Sequence, residues 1–112
     1  MSFYFKKNKY NSKGGRCNLQ HYHPSALERN YCDQLSLLVK AGKINSFDYA
    51  KRYELIVNGM TVGHHKPDFS VITNEGKIEV HETKGMDTPD WILRKKVFEA
   101  CYPEIPYIVI RR

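Results

Sequence analysis

Two helix-start signatures frame this chain, and the strand signals between and after them leave few folds open. Ser25-Ala26-Leu27-Glu28 has the form of a capping box, and Leu27, Tyr31, Leu35, Leu38 and Val39 then recur at helical steps. Gly42 suits the residue just past a helix end, so the first helix is expected over residues 25–41. Thr88-Pro89-Asp90 opens a second helix, with Thr88 as N-cap, Pro89 at the first helical position and an acid in the first turn. It is expected to run to about Cys101, and Pro103 stops it.

Between the helices, residues 43–48 read as a connector and Arg52 to Val57 as a strand. Asn58-Gly59 is a strong hairpin signal, with Met60 to His64 as the return strand. Lys66 to Ile72 is a further strand or its continuation, and Asn74-Glu75-Gly76 turns it into Lys77 to Lys84. Pro106 to Ile110 is a last, apolar strand. The order α-β-β-β-α-β predicts an α/β fold with a mixed central sheet flanked by two helices. With 112 residues there is room for one such domain. No apolar run approaches the roughly 20 residues of a membrane-spanning helix, so no membrane partner is expected. The N-terminus lacks the apolar run of a secretory signal.

The net charge of +6 is unevenly spread. Residues 1–24 hold Lys6, Lys7, Lys9, Lys13 and Arg16 and no acid, while residues 25–112 are nearly balanced. We therefore divide the chain into a basic N-terminal arm, 1–24, and a domain, 25–112. A basic arm points to a polyanionic partner, most often nucleic acid; the plain alternative is a solvated tail. Tyr4, Tyr10 and Tyr22 are interleaved with the lysines and could stack on unpaired bases. Cys17, Cys32 and Cys101 are odd in number and form no C-x-x-C pair, which argues for a reducing cytoplasm. Cys17, His21, His23 and Cys32 can be drawn as a zinc site, but C-x3-H-x-H-x8-C matches no standard zinc spacing. On spacing alone the cysteines read as buried or idle thiols.

The chemistry centres on Pro67-Asp68 and Glu82-Thr83-Lys84. If residues 77–84 form a strand, Ile78, Val80, Glu82 and Lys84 share one face, and Glu79, His81 and Thr83 the other. The face of Ile78 and Val80 is the buried one, so Glu82 and Lys84 extend it at its open C-terminal end. Burying charges unpaired is costly, and a metal ion on Glu82 would offset that cost. Pairing across the Asn74–Gly76 turn brings Asp68 opposite Lys84 or close to it, so that Asp68 and Glu82 point at a common ion. Two hard oxygen ligands suit Mg2+, with Mn2+ as a substitute. Lys84 is then placed to hold or activate a water, or to stabilise charge on a phosphate. The plain alternative is a surface hairpin in which Glu82 and Lys84 make an ordinary ion pair. Gly85, the bases Arg94-Lys95-Lys96 that follow and the strand alternation favour a site. Glu28 completes a capping box, yet it also lies on the apolar side of the first helix and points toward the sheet. His64-His65 reads as a solvent-facing strand end or a metal or phosphate contact. His81 reads as structural or packed on the second helix, and Trp91 and Phe98 as core.

These residues resemble the PD-(D/E)XK nuclease superfamily. More closely, Ser25 to Pro103 is similar to a small phage- and prophage-borne family of PD-(D/E)XK endonuclease-like proteins. The matching pieces are Ser25-x-x-Glu28, Leu37-x3-Ala41-Gly42-x-Ile44, Tyr53-Glu54-Leu55, Asp68-Phe69, Glu82-Thr83-Lys84-Gly85 and Lys95-x2-Phe98-x3-Tyr102-Pro103. The resemblance implies a restriction-endonuclease-like αβββαβ core and a divalent metal at Asp68 and Glu82. It implies Glu28 as the glutamate from the first helix and Lys84 as the catalytic lysine. The family commonly has Asp where Glu82 stands, and Gln-Pro where this chain has Ala50-Lys51, so any contact of that glutamine falls here to Lys51 or Arg52.

The expected function is a Mg2+-dependent DNA endonuclease. With no separate target-recognition domain, it is expected to select branches, junctions or nicks over sequence. Lys6, Lys7, Lys9, Lys13, Arg16, Lys51, Arg52, Arg94 and Lys95 are the candidate DNA contacts. A homodimer would cut both strands, with Tyr107 to Ile110 or the arm as candidate interface. Two other readings stay open on sequence: a non-catalytic nucleic-acid-binding module with a nuclease fold, and a phage accessory or interaction protein.

Overall fold

The computed structural model describes residues 14–111. The elements in chain order are β1 (Gly15–Arg16), β2 (Tyr22–His23), α1 (Ala26–Lys40), β3 (Ser46–Tyr49), β4 (Tyr53–Val57), β5 (Met60–His65), β6 (Phe69–Ile72), β7 (Ile78–Thr83), α2 (Pro89–Cys101) and β8 (Tyr107–Ile110). β3, β6, β7 and β8 form one mixed sheet in that order, antiparallel except for the last pair. With α1 and α2 this is an α/β fold of αβββαβ order. The β4–β5 hairpin is inserted between the first two sheet strands and pairs only with itself.

The helix signals act as expected. Ser25 Oγ accepts from the backbone N–H of Glu28, and Thr88 Oγ1 from that of Trp91. At the end of α1, Gly42 N–H reaches the Val39 carbonyl and Lys43 N–H the Leu38 carbonyl, with Gly42 at φ +75°. This is a Schellman exit, which needs a left-handed residue at that position. The first sheet strand differs from expectation. It is β3, inside the stretch read as a connector, whereas the stretch around Tyr53 to Val57 forms the inserted hairpin. Phe47 and Tyr49 alternate with Ser46 and Asp48, a pattern too short and too polar to stand out.

α1 covers one sheet face, where Cys32 and Leu35 pack with Phe69 and Val71. On the other face Val80 packs with Phe98 of α2 and with Tyr53 and Leu55 of the hairpin. His81 lies on the α1 side, its Nδ1 2.5 Å from the Tyr31 hydroxyl, and not against α2. The β6–β7 register pairs Phe69 with His81 and Ile72 with Ile78, across a three-residue turn closed by Gly76 at φ +84°. One step further sets Asp68 across from Glu82, two residues short of Lys84. A two-residue shift preserves which face each side chain takes, so Glu82 shares the covered face of Val80 as expected, while the opposite face of β7 is covered too.

Part of the segment read as an arm is folded: β1 and β2 form a short ribbon against α1. Lys6, Lys7, Lys9 and Lys13 lie outside the described residues. No helix among the described residues is long and apolar enough to cross a membrane.

Candidate metal and nuclease site

Three carboxylates from three elements meet where α1 begins and β7 ends. Glu28 sits in the first turn of α1. Only half of the capping box forms, because the Glu28 side chain turns inward. Its Oε2 accepts from the Tyr49 hydroxyl at 2.9 Å and lies 2.7 Å from His23 Nδ1. A carboxylate oxygen accepts, so His23 donates from Nδ1, and burial lowers the pKa of the ring.

Asp68 ends the approach to β6. Its Oδ2 accepts two bonds from Thr83, the backbone N–H at 2.9 Å and the hydroxyl at 2.8 Å. Ala50, at φ +61°, turns the chain from β3 toward the hairpin and gives its N–H to the Asp68 carbonyl at 2.8 Å. A non-glycine residue held there is strained backbone, stored beside the site. Glu82 is 6% exposed, one residue before the end of β7. Its Oε1 accepts from the Tyr107 hydroxyl, and that hydroxyl lies 2.7 Å from His65 Nε2. The phenol gives its one proton to Glu82, so His65 Nε2 donates to the phenol oxygen, and burial lowers the pKa of His65.

Each carboxylate therefore has one oxygen anchored by protein donors. The other three oxygens, Glu28 Oε1, Asp68 Oδ1 and Glu82 Oε2, take no close hydrogen bond from the described residues, although Asp68 stands within hydrogen-bonding reach of Glu28 and Trp91 within reach of Glu82. Burial is the main cause that raises all three pKa values, and charge repulsion within the group adds to it. Glu82 raises Glu28, Glu28 raises Asp68, and Asp68 raises Glu82. Asp68 is pushed up to about 6. A buried, mutually repelling set of carboxylates offers hard oxygen donors, the type a divalent cation takes.

Lys84 follows β7 directly, its backbone N–H bonded to the Ile110 carbonyl. Its Nζ stands 4.8 Å above the Trp91 ring, and its charge lowers the pKa of Asp68. Trp91 Nε1 is buried beside Glu82 and Tyr107 with no good hydrogen bond. Glu28, Asp68, Glu82 and Lys84, singled out in the sequence, are thus brought together. Tyr49 and Tyr107 are supporting residues that sequence reasoning missed, and His23 and His65 support the carboxylates in a role the sequence did not assign to them. His65, the last residue of β5, is buried, and only His64 of that pair has some exposure.

The basic residues are divided. Lys51 and Arg52 are exposed and follow Ala50, whose N–H bonds the Asp68 carbonyl. Arg94 donates to the His64 carbonyl and pairs with Asp90 at 3.4 Å, and Lys95 pairs with Glu99 at 2.9 Å. Arg16 donates to the Gln20 carbonyl at 2.7 Å and is exposed.

Residues 7–112 match the family described as protein of unknown function, DUF1064. The chain belongs to that family. No curated protein and no solved structure matches it. The family match covers all four site residues as well as the hairpin that precedes α1.

Proposed function

We propose that this protein is a Mg2+-dependent DNA endonuclease of PD-(D/E)XK type. The observation that carries the reading is the set of three carboxylates, each with one oxygen anchored and one left over, beside an ammonium group. An ordinary surface hairpin would leave Glu82 exposed and paired with Lys84. Here Glu82 is buried and Lys84 stands over Trp91.

Asp68 and Glu82, joined by Glu28, would hold the divalent ion. When bound, the ion supplies polarisation of the scissile phosphodiester and a lowered pKa for an attacking water. The protein's own work is positioning. Thr83 fixes the rotamer of Asp68, Tyr107 fixes Glu82, and Tyr49 with His23 fixes Glu28, so each free oxygen is presented without reorganisation. Lys84 holds the attacking water or meets the charge that develops on the phosphate. Lys51 and Arg52 guide the backbone of the nucleic acid, with the arm lysines and Arg16 adding affinity that carries no sequence information.

On this reading the substrate is DNA recognised by its structure over its sequence: branches, junctions or nicks. It acts in a reducing cytoplasm, that of the host if the protein is phage-encoded. A homodimer would cut both strands, and β8, an edge strand of the sheet, is its candidate interface.

The test is incubation of the folded protein with supercoiled, linear and branched DNA, with Mg2+, with Mn2+ and with neither. Metal-dependent nicking, fastest on branched substrates, is expected. If no substrate is cut in either metal, the enzyme reading fails. Retained DNA affinity would then leave a binding module with a nuclease fold, and loss of that too would leave an accessory or interaction protein.

A further inference from the structure

The ribbon that precedes α1 has little to hold it in place. β1 and β2 are two residues each, and an isolated pair of that length is not stable in water. Its larger apolar side chains do not supply a core, since Leu19 is 50% and Tyr22 58% exposed. Yet Cys17 and His23 in the same ribbon are almost completely buried, and so is Cys32, which α1 presents to them.

The loop between the strands is tightly closed. Cys17 N–H bonds to the His21 carbonyl at 3.0 Å and Gln20 N–H to the Cys17 carbonyl at 2.9 Å. Gln20 takes φ +68°, a left-handed conformation that a glutamine adopts only under constraint. Asn18 N–H reaches Asp33 Oδ1 at 2.6 Å, which pins the loop beside Cys32. The result brings one donor atom from each of Cys17, His21, His23 and Cys32 within 4.8 Å of all the others.

Two details give the cluster a chemical sense. Cys32 Sγ lies 3.6 Å from His21 Nδ1. Tetrahedral zinc, with Zn–S about 2.3 Å and Zn–N about 2.0 Å, sets sulfur and nitrogen roughly 3.6 Å apart. His23 Nε2 is fully buried with no hydrogen-bond partner, while its Nδ1 is held by Glu28. A carboxylate on one ring nitrogen and a vacant lone pair on the other is the arrangement that orients a histidine toward a metal. A buried nitrogen without a partner is otherwise costly.

We propose that Cys17, His21, His23 and Cys32 form a closed S2N2 zinc site that fastens the β1–β2 ribbon to α1. Four protein ligands leave no open position, so the role is structural. The site is separate from the carboxylate site and does not depend on the nuclease reading. The two meet at the His23–Glu28 hydrogen bond, by which a zinc-held His23 would fix Glu28, and at Tyr49, which bonds Glu28 and packs on the rings of His21 and His23. The spacing hides the site because one ligand comes from a helix and three from a ribbon, unlike standard zinc motifs.

The test is metal analysis of the full chain, expressed in zinc-containing medium and purified under reducing conditions without chelator. One zinc per chain is expected. Exchange into Co2+ should give the intense visible absorption of tetrahedral cobalt with thiolate charge-transfer bands. Cys17→Ser and Cys32→Ser should lose the zinc, whereas Asp68→Asn should keep it. If the serine variants do not fold, the zinc content and cobalt spectrum of the unaltered protein decide. Zinc well under one per chain together with a weak octahedral cobalt spectrum would overturn the proposal. So would a Cys17–Cys32 disulfide in the reduced preparation, or loss of the zinc on Asp68→Asn.

Discussion

Replacing Asp68 with asparagine is expected to stabilise the protein at neutral pH when no Mg2+ is present. Burial and the Glu28 charge push the Asp68 carboxyl from 3.8 up to about 6. A carboxyl whose folded pKa lies above its unfolded one binds its proton more tightly when folded. Its contribution is therefore favourable at low pH and is lost as the pH rises through about 6. At about 1.4 kcal/mol per pH unit, holding the charge at neutral pH costs about 3 kcal/mol. Part of the Asp68 side chain reaches water, so about 1–3 kcal/mol is the working range. Asparagine removes the charge and keeps an oxygen for the two Thr83 donors. For a domain of about 100 residues, each kcal/mol moves the melting temperature by about 4–8 °C. The variant should thus melt about 4 °C or more above the unaltered protein near pH 7.5, and the gap should close as the pH falls to about 4. Protonation of His65, whose pKa burial lowers, affects both proteins alike, whereas His23 loses the raising effect of the Asp68 charge in the variant and takes up its proton at a lower pH there. Added Mg2+ should raise the melting temperature of the unaltered protein far more than that of the variant. The assay is thermal melting by circular dichroism in chelator-free buffer. A variant no more stable than the unaltered protein at neutral pH, without Mg2+, would refute the claim that the carboxylate charge is uncompensated.

Tyr107→Phe removes the donor to Glu82 and leaves His65 Nε2 buried without its acceptor, which should cost about 1–3 kcal/mol in a thermal or urea melt. It should also weaken Mg2+ binding at neutral pH, because the Tyr107 hydrogen bond lowers the pKa of Glu82. Unchanged stability and unchanged Mg2+ binding by calorimetry would remove Tyr107 from the site. Deleting residues 1–13 takes away Lys6, Lys7, Lys9 and Lys13. If they contact phosphates, the slope of log affinity against log salt for duplex DNA should shrink by up to about 3.6, equally for all sequences. An unchanged slope would show that the arm lysines do not touch DNA.

The parts of the site carried by local pattern were legible in the sequence. Alternation along Ile78 to Lys84 placed Glu82 on the buried face, because that depends only on the two-residue period of a strand. The caps at Ser25 and Thr88 likewise act within one turn. Glu28 was ambiguous, since a glutamate three residues after a serine fits a capping box as well as it fits a site. Only the inward turn of its side chain toward Tyr49 and His23 separates the two. The residues that hold the carboxylates were not legible. Tyr49 reaches Glu28 from β3, Tyr107 reaches Glu82 from β8, and His65 reaches Tyr107 from the hairpin, contacts that exist only once the sheet is assembled. β3 itself was hidden because Asn45, Ser46 and Asp48 interrupt its apolar positions. The register across Asn74 to Gly76 depends on Gly76 entering the left-handed region, and this moved Asp68 from Lys84 to Glu82 without changing its face.

The most direct test of the central claim is the rate at which supercoiled DNA is nicked by the unaltered protein and by Lys84→Ala under saturating Mg2+. Lys84 carries no metal-binding oxygen, so its loss leaves the carboxylates, the ion and DNA affinity largely intact while removing a charge placed for the reaction. The account predicts Mg2+-dependent nicking by the unaltered protein and a loss of about 100-fold or more in the variant, with DNA and Mg2+ binding retained. Equal nicking by the two proteins, or none by the unaltered protein in Mg2+ or Mn2+, would contradict it.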